Sequence, residues 1–212
     1  MCEVKSGVVL PDKIVVPLDI DSHTEILESL GIRDSSPFPN FVRVECRPID
    51  DDIFNHDLNN WYLSVDQDFI PEWFDKDKAE RQFKEIYLPE FFEKRFIINR
   101  EVDEIAANSG RWFVKNGIIQ KHAGNIEVLC GGGTVNKVCG GTVNKVWSGG
   151  TVNKVCGGTV NKVCGGTVIN HSSLSKIKNI SGGGVVVDRS GGKTKIFAVK
   201  NDFEVVEVDP KE

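Results

Sequence analysis

Between Leu129 and Val187 the chain has no acidic residue and no arginine. Its charges there are six lysines, at 137, 145, 154, 162, 176 and 178. That stretch carries +6 and the remainder −11, within a net charge of −5. Charge blocks of this kind mark interaction surfaces. Other absences narrow the function class. No run approaches 18 apolar residues, so no membrane helix is expected. Met1-Cys2-Glu3-Val4-Lys5 lacks a basic start followed by an apolar run. No secretory leader is therefore expected, and a cytoplasmic protein follows by default. The six cysteines include no Cys-x-x-Cys pair, so zinc-ligand spacing is missing. With four histidines, spacing alone assembles no Ser-His-Asp or Cys-His arrangement.

What is present is a repeat. From Gly132 to Val168 the chain reads Gly-Gly-Thr-Val-Asn-Lys-Val-Cys, over and over, with Thr134, Thr142, Thr151, Thr159 and Thr167 in one slot. The step is eight residues, with Ser148 adding one. Each octad carries two valines three apart: Val135/Val138, Val143/Val146, Val152/Val155 and Val160/Val163. One face of a flat strand recurs every two residues, so a spacing of three does not fit it. Paired glycines at every eighth position exclude a helix, at about 1 kcal/mol each relative to alanine. Two short β segments per octad, with glycine corners, remain. Two buried valines cannot offset the ordering of eight backbones, so neighbouring octads must stack. The expectation is a β-solenoid with two octads per coil. An antiparallel meander with Gly-Gly hairpins is the rival. Ile126/Leu129 and Leu174/Ile177 keep the three-apart pair at the ends of the array, and His171 falls where a second valine belongs. Trp147 takes a slot that Cys130, Cys139, Cys156 and Cys164 fill elsewhere, so that slot asks for bulk, and the cysteines read as reduced small hydrophobes.

The overall fold class is α+β. Residues 1–107 read as a small α/β head, 108–181 as the solenoid with its lead-in, and 182–212 as a C-terminal β-meander cap. In the head, Lys13–Pro17 suggests an edge strand, and Ser22-His23-Thr24-Glu25 is a capping box before a helix stopped by Gly31. His23 reads as a first-turn surface residue. Phe41–Cys46 and Trp61–Val65 read as neighbouring strands. Asp50, Asp51 and Asp52, near His56, could hold a hard cation or simply form a solvated loop. Asp66 and Asp68, after a strand, are candidate metal ligands or turn formers. Pro71 suits a helical first turn, and Asp77 a cap for a helix over 78–87 with Ala79, Phe83, Ile86 and Tyr87 on its packed face. Pro89 should interrupt, with a second helix over 90–98. Residues 100–107 read as a charged bridge. Near the C-terminus, strands are expected over 185–188, 193–199 and 203–208, turned at Ser190-Gly191-Gly192 and Asn201-Asp202. Gly191-Gly192-Lys193-Thr194 resembles the end of a phosphate-binding loop, but Val187 stands where that motif needs glycine, so a hairpin is expected.

Residues 65–74, Val-Asp-Gln-Asp-Phe-Ile-Pro-Glu-Trp-Phe, together with the octads, resemble phage and prophage proteins. In these a small α/β head precedes an octad-repeat tail. The resemblance implies that architecture over residues 60–170 and carries no catalytic residue. It raises interference with host defences as a setting.

The function expected is non-enzymatic binding or scaffolding. Lys137, Lys145, Lys154 and Lys162 recur at one slot and should form ladders that attract an anionic small molecule or a protein partner. Nucleic acid is less well suited, since arginine and interleaved aromatics are missing. No cofactor and no membrane partner are expected. Three alternatives stand: an anti-defence protein binding a phosphate-rich nucleotide, a metal-dependent site in the head using Asp66 and Asp68, and a homo-oligomer joined through solenoid ends.

Overall fold

The computed structural model describes residues 5–34 and 37–199, and the backbone of Lys200 and of 204–208. The chain forms two compact units, residues 1–94 and 95–212.

In the first unit, β1 (Lys5–Val9), β2 (Ile14–Val15), β3 (Val42–Pro48) and β4 (Trp61–Val65) form an antiparallel sheet in the order β2-β1-β3-β4. Ser22 accepts the Glu25 N–H and starts α1 (His23–Ser29), and Gly31, at φ 69°, follows its end. Ile26 and Leu27 of α1 pack with Val8 and Phe41. Pro71 opens a turn closed by the Phe74 N–H, not a helix. Asp75 rather than Asp77 caps α2 (Lys76–Gln82), its carboxylate accepting the Lys78 N–H at 2.9 Å. A π turn over Phe83–Tyr87 then leads into α3 (Leu88–Arg95). Pro89 does not break this run. The Leu88 N–H already reaches back five residues to Phe83, and proline, lacking an N–H, follows at the second residue of the new segment. The wider turn also shifts the helical phase. Phe83, Leu88, Phe91 and Phe92 are buried, while Ile86 is exposed rather than packed.

The second helix stops at Arg95, not Ile98, and the solenoid begins at once. Its strands are β5 (Phe96–Ile98), β6 (Glu101–Ile105), β7 (Arg111–Lys115), β8 (Ile118–His122), β9 (Asn125–Cys130), β10 (Thr134–Val135), β11 (Thr142–Val146), β12 (Thr151–Val155), β13 (Thr159–Cys164), β14 (Thr167–Asn170), β15 (Lys176–Ser181) and β16 (Val185–Asp188). Odd-numbered strands form a six-stranded sheet, and even-numbered strands run through an eight-stranded one. Within β5–β16 every pairing is parallel. Thr134 pairs with Thr151, and Thr142 with Thr159. The partner always lies two octads away, so two octads make one coil and the antiparallel meander is excluded.

Both valines of each octad point inward, and both sheets share one core from Ile97 to Val186. Val135, Val138, Val143, Val146, Val152, Val155, Val160 and Val163 are fully buried. The corners are closed by stacked glycines. Gly141 has φ 68°, and a Cβ on it would lie 1.9 Å from the Gly124 carbonyl oxygen. One coil on, a Cβ on Gly158 would lie 2.6 Å from the Gly141 carbonyl oxygen.

Three expectations are corrected here. Residues 101–105 are a strand, not a bridge, because Val102 and Ile105 form a three-apart pair that registers with Ile119 and His122 of the next coil. Asn170, not His171, takes the valine slot after Val168. The chain is one residue shorter there, and Val155 pairs with Asn170. The C-terminal strands divide differently from the expected cap. β16 pairs in parallel with β14 and belongs to the coils, and only β17 (Lys195–Lys200) and β18 (Glu204–Val208) run antiparallel. The Gly191–Thr194 segment lies between the antiparallel strands β16 and β17, as a hairpin requires. The turn expected at Asn201-Asp202, and Phe203, lie outside the described residues.

Candidate functional site

Two residues separate the inward valines of an octad, Asn and Lys, and both face outward. Stacking turns each into a column. In the six-stranded sheet, Asn161 Nδ2 donates to Asn144 Oδ1 at 2.6 Å, and Asn144 Nδ2 donates to Glu127 Oε2 at 2.8 Å. In the eight-stranded sheet, Asn153 donates to Asn136 at 2.8 Å and Asn136 to Gln120 at 2.6 Å. Such side-chain ladders fix one amide to the next along the stack.

The lysines follow the same geometry, with one consequence that spacing along the chain conceals. Successive octads lie in different sheets, so the four candidate lysines do not form one surface. Lys145 and Lys162 are register partners in the six-stranded sheet. Lys137 and Lys154 precede Val138 and Val155, which bridge in the eight-stranded sheet. In the six-stranded sheet Lys145 and Lys162 are flanked by Val128 on one side and Asn179 on the other, so neither neighbour is an acid. The Lys145 ammonium also lies 5.7 Å from the centroid of the half-exposed Trp147 ring. In the other sheet the column begins with an ion pair, Lys121 Nζ to Glu104 Oε1 at 2.8 Å. The hydrogen bond and charge of Glu104 raise the Lys121 pKa.

In the first unit, the two aspartates expected as metal ligands follow β4. Asp66 and Asp68 are both exposed. Asp66 Oδ2 lies 3.2 Å from His23 Nδ1. Among the described residues, one group of three ligand-bearing side chains gathers within 4.8 Å: His23, Glu45 and Asp66. Asp68 is not in it. His23 is buried, not a surface residue, because the first turn of α1 lies on the sheet and the ring reaches the Val44 carbonyl. His23 and Glu45 carry no sequence signal for this role. Only a map of which strands pair would have brought them to Asp66.

The acidic loop at 50–52 is used otherwise. Asp50 accepts from Asn55, Asn60 and the Asp52 N–H, and Asp52 accepts the Phe54 N–H. The hydrogen bonds from Asn55 and Asn60 lower the Asp50 pKa. His56 stacks on Phe92 with centroids 4.0 Å apart, and burial lowers its pKa. These carboxylates build turns. A shallow cavity of about 450 Å³ lies between the β1–β2 hairpin and α2, lined by Asp12, Lys13, Trp73, Lys78 and Tyr87 among others. No described helix is long and apolar enough to cross a membrane.

No family model, no curated protein and no solved structure matches this chain.

Proposed function

We propose that this protein is a non-enzymatic binding module whose solenoid presents lysine columns to an anionic partner. The observation that carries the reading is the parallel pairing of Lys145 with Lys162. Parallel register sets the two backbones about 4.8 Å apart, so the like-charged side chains leave the sheet side by side. Such neighbours repel, and a phosphate-bearing ligand bridging them relieves the repulsion. The Asn column beside them supplies neutral donors and acceptors at the same spacing. A setting in a phage genome belongs to the same proposal, and the neighbouring genes test it.

Filter binding of a nucleotide and of a short single-stranded DNA, at two salt concentrations, tests the ligand. Retention that falls with salt, and falls further in a Lys145→Gln/Lys162→Gln double variant, supports the reading. Retention independent of salt, or unchanged in the double variant, leaves the lysines as solubilising groups on a β surface.

A further inference from the structure

The group formed by His23, Glu45 and Asp66 draws on three separate elements. His23 is the first residue of α1, Glu45 lies inside β3, and Asp66 follows the last residue of β4. The Asp66 N–H is fixed on the Arg43 carbonyl at 2.9 Å, which sets where its side chain leaves the sheet. His23 is 7 % and Glu45 5 % exposed, while the Asp66 carboxylate is 59 % exposed. The group therefore has a buried floor and one open side.

His23 Nε2 lies 3.0 Å from the Val44 carbonyl oxygen. A carbonyl only accepts, so Nε2 carries the proton. Nδ1, the other ring nitrogen, faces Asp66 Oδ2 at 3.2 Å. A histidine that ligates a metal through one nitrogen holds its other N–H on a backbone carbonyl or carboxylate, which is the arrangement seen. Two donors sharing one ion at bonds of about 2.0–2.2 Å stand roughly 3.4 Å apart in tetrahedral geometry. The His23–Asp66 separation already lies close to that. Glu45 completes the set. Arg47 binds Glu45 Oε2 through both Nε and Nη2, which leaves Oε1 outside that pair.

We infer that His23, Glu45 and Asp66 bind a divalent first-row transition ion, with water in its remaining positions. One imidazole nitrogen with two carboxylates selects this class, since magnesium and calcium favour all-oxygen sets. The ion ties α1 to β3 and to the end of β4. The competing arrangement is an imidazolium–aspartate pair with no ion.

The test uses the full chain, stripped with chelator and titrated with Co²⁺ by visible absorption and with Zn²⁺ by calorimetry. One ion per chain with a d–d absorption band is expected. Asp66→Asn, at an exposed side chain, weakens binding by about tenfold or more, in line with the loss of an orienting or ligating group. Asp68→Asn leaves binding unchanged. Circular dichroism confirms that both variants are folded, and His23→Gln gives a second loss of binding. Wild-type protein that binds no more ion than Asp66→Asn overturns the inference and supports the ion pair. Equal weakening by Asp68→Asn overturns it as well, by assigning the binding to diffuse surface charge.

Discussion

His122 and Val138 are parallel register partners in the interior of the solenoid, so an imidazole fills the slot that valine fills in the next coil. The ring is fully buried, Nε2 reaches the Thr142 carbonyl at 3.2 Å, and Nδ1 meets no hydrogen-bond partner among the described residues. Burial lowers its pKa from 6.5 to about 4. Between those values the unfolded chain binds a proton that the folded chain does not. Stability is therefore full above about pH 6.5 and falls as the pH drops toward 4, by up to about 3 kcal/mol. Urea melts from pH 7 to pH 4 should show this slope for the wild type. His122→Val should flatten it, and should raise stability at pH 7 by about 1 kcal/mol, because an unpaired buried nitrogen is removed.

A coil, not an octad, is the unit that can be removed. Deleting residues 140–156 joins Cys139 to a Gly-Gly-Thr that matches the one lost, brings β13 onto β9 and β14 onto β10, and preserves every interior column. The shortened protein should melt cooperatively, with the midpoint lowered but the transition single. Deleting only 140–147 forces every later strand into the opposite sheet, and Asn170 and Asp188, which hydrogen-bond at 3.0 Å, move with it. That variant should lose cooperative melting by circular dichroism. A folded single-octad deletion would contradict the two-octad coil.

The octads disclosed the solenoid because their valine spacing admits few geometries. The first coil was hidden by its composition. Val102 and Ile105 make the same inward pair, but they stand among Glu101, Asp103 and Glu104 and lack the Gly-Gly corners that announce a repeat. The division of the lysines between two sheets was implicit once two octads made a coil, since alternate octads then face apart. The grouping of His23, Glu45 and Asp66 was not legible. Asp66 stood out as a carboxylate after a strand, but Asp68 beside it in sequence is not in the group. His23 and Glu45 reach it only through the pairing of β3 with β4 and the seating of α1.

Lys5 is a buried cation whose removal should be severe. Its side chain is 1 % exposed, and its ammonium donates to the carbonyls of Pro17, Leu18 and Ile20 and to Asp21 Oδ1 at 2.7 Å. Asp21 is itself only 9 % exposed. Lys5→Ala leaves that carboxylate and the carbonyls without the charge that holds them. A loss of about 3–5 kcal/mol is expected from chemical denaturation. Adding Asp21→Asn to Lys5→Ala should recover part of it, because the uncompensated charge goes. Additive losses in the double variant would show that the pair does not act as a unit.

Adjacent glycines at one solenoid corner should respond in opposite ways. Gly141 sits at φ 68°, and a Cβ there would lie 1.9 Å from the Gly124 oxygen and 2.4 Å from the Ala123 oxygen, both backbone atoms. Neither can yield without opening the parallel pairing of Thr142 with Asn125. Gly141→Ala therefore combines a left-handed backbone, worth about 1–2 kcal/mol, with a clash in the column, and a loss above about 2 kcal/mol is expected. Gly140 has open space around its Cβ direction, with nothing among the described residues within 4 Å. Gly140→Ala should be neutral or stabilising by up to about 1 kcal/mol, because it narrows the freedom of the unfolded chain. Thermal melts of the two single variants decide the matter. Equal losses at both positions would mean that the corner does not close by glycine stacking on the coil below.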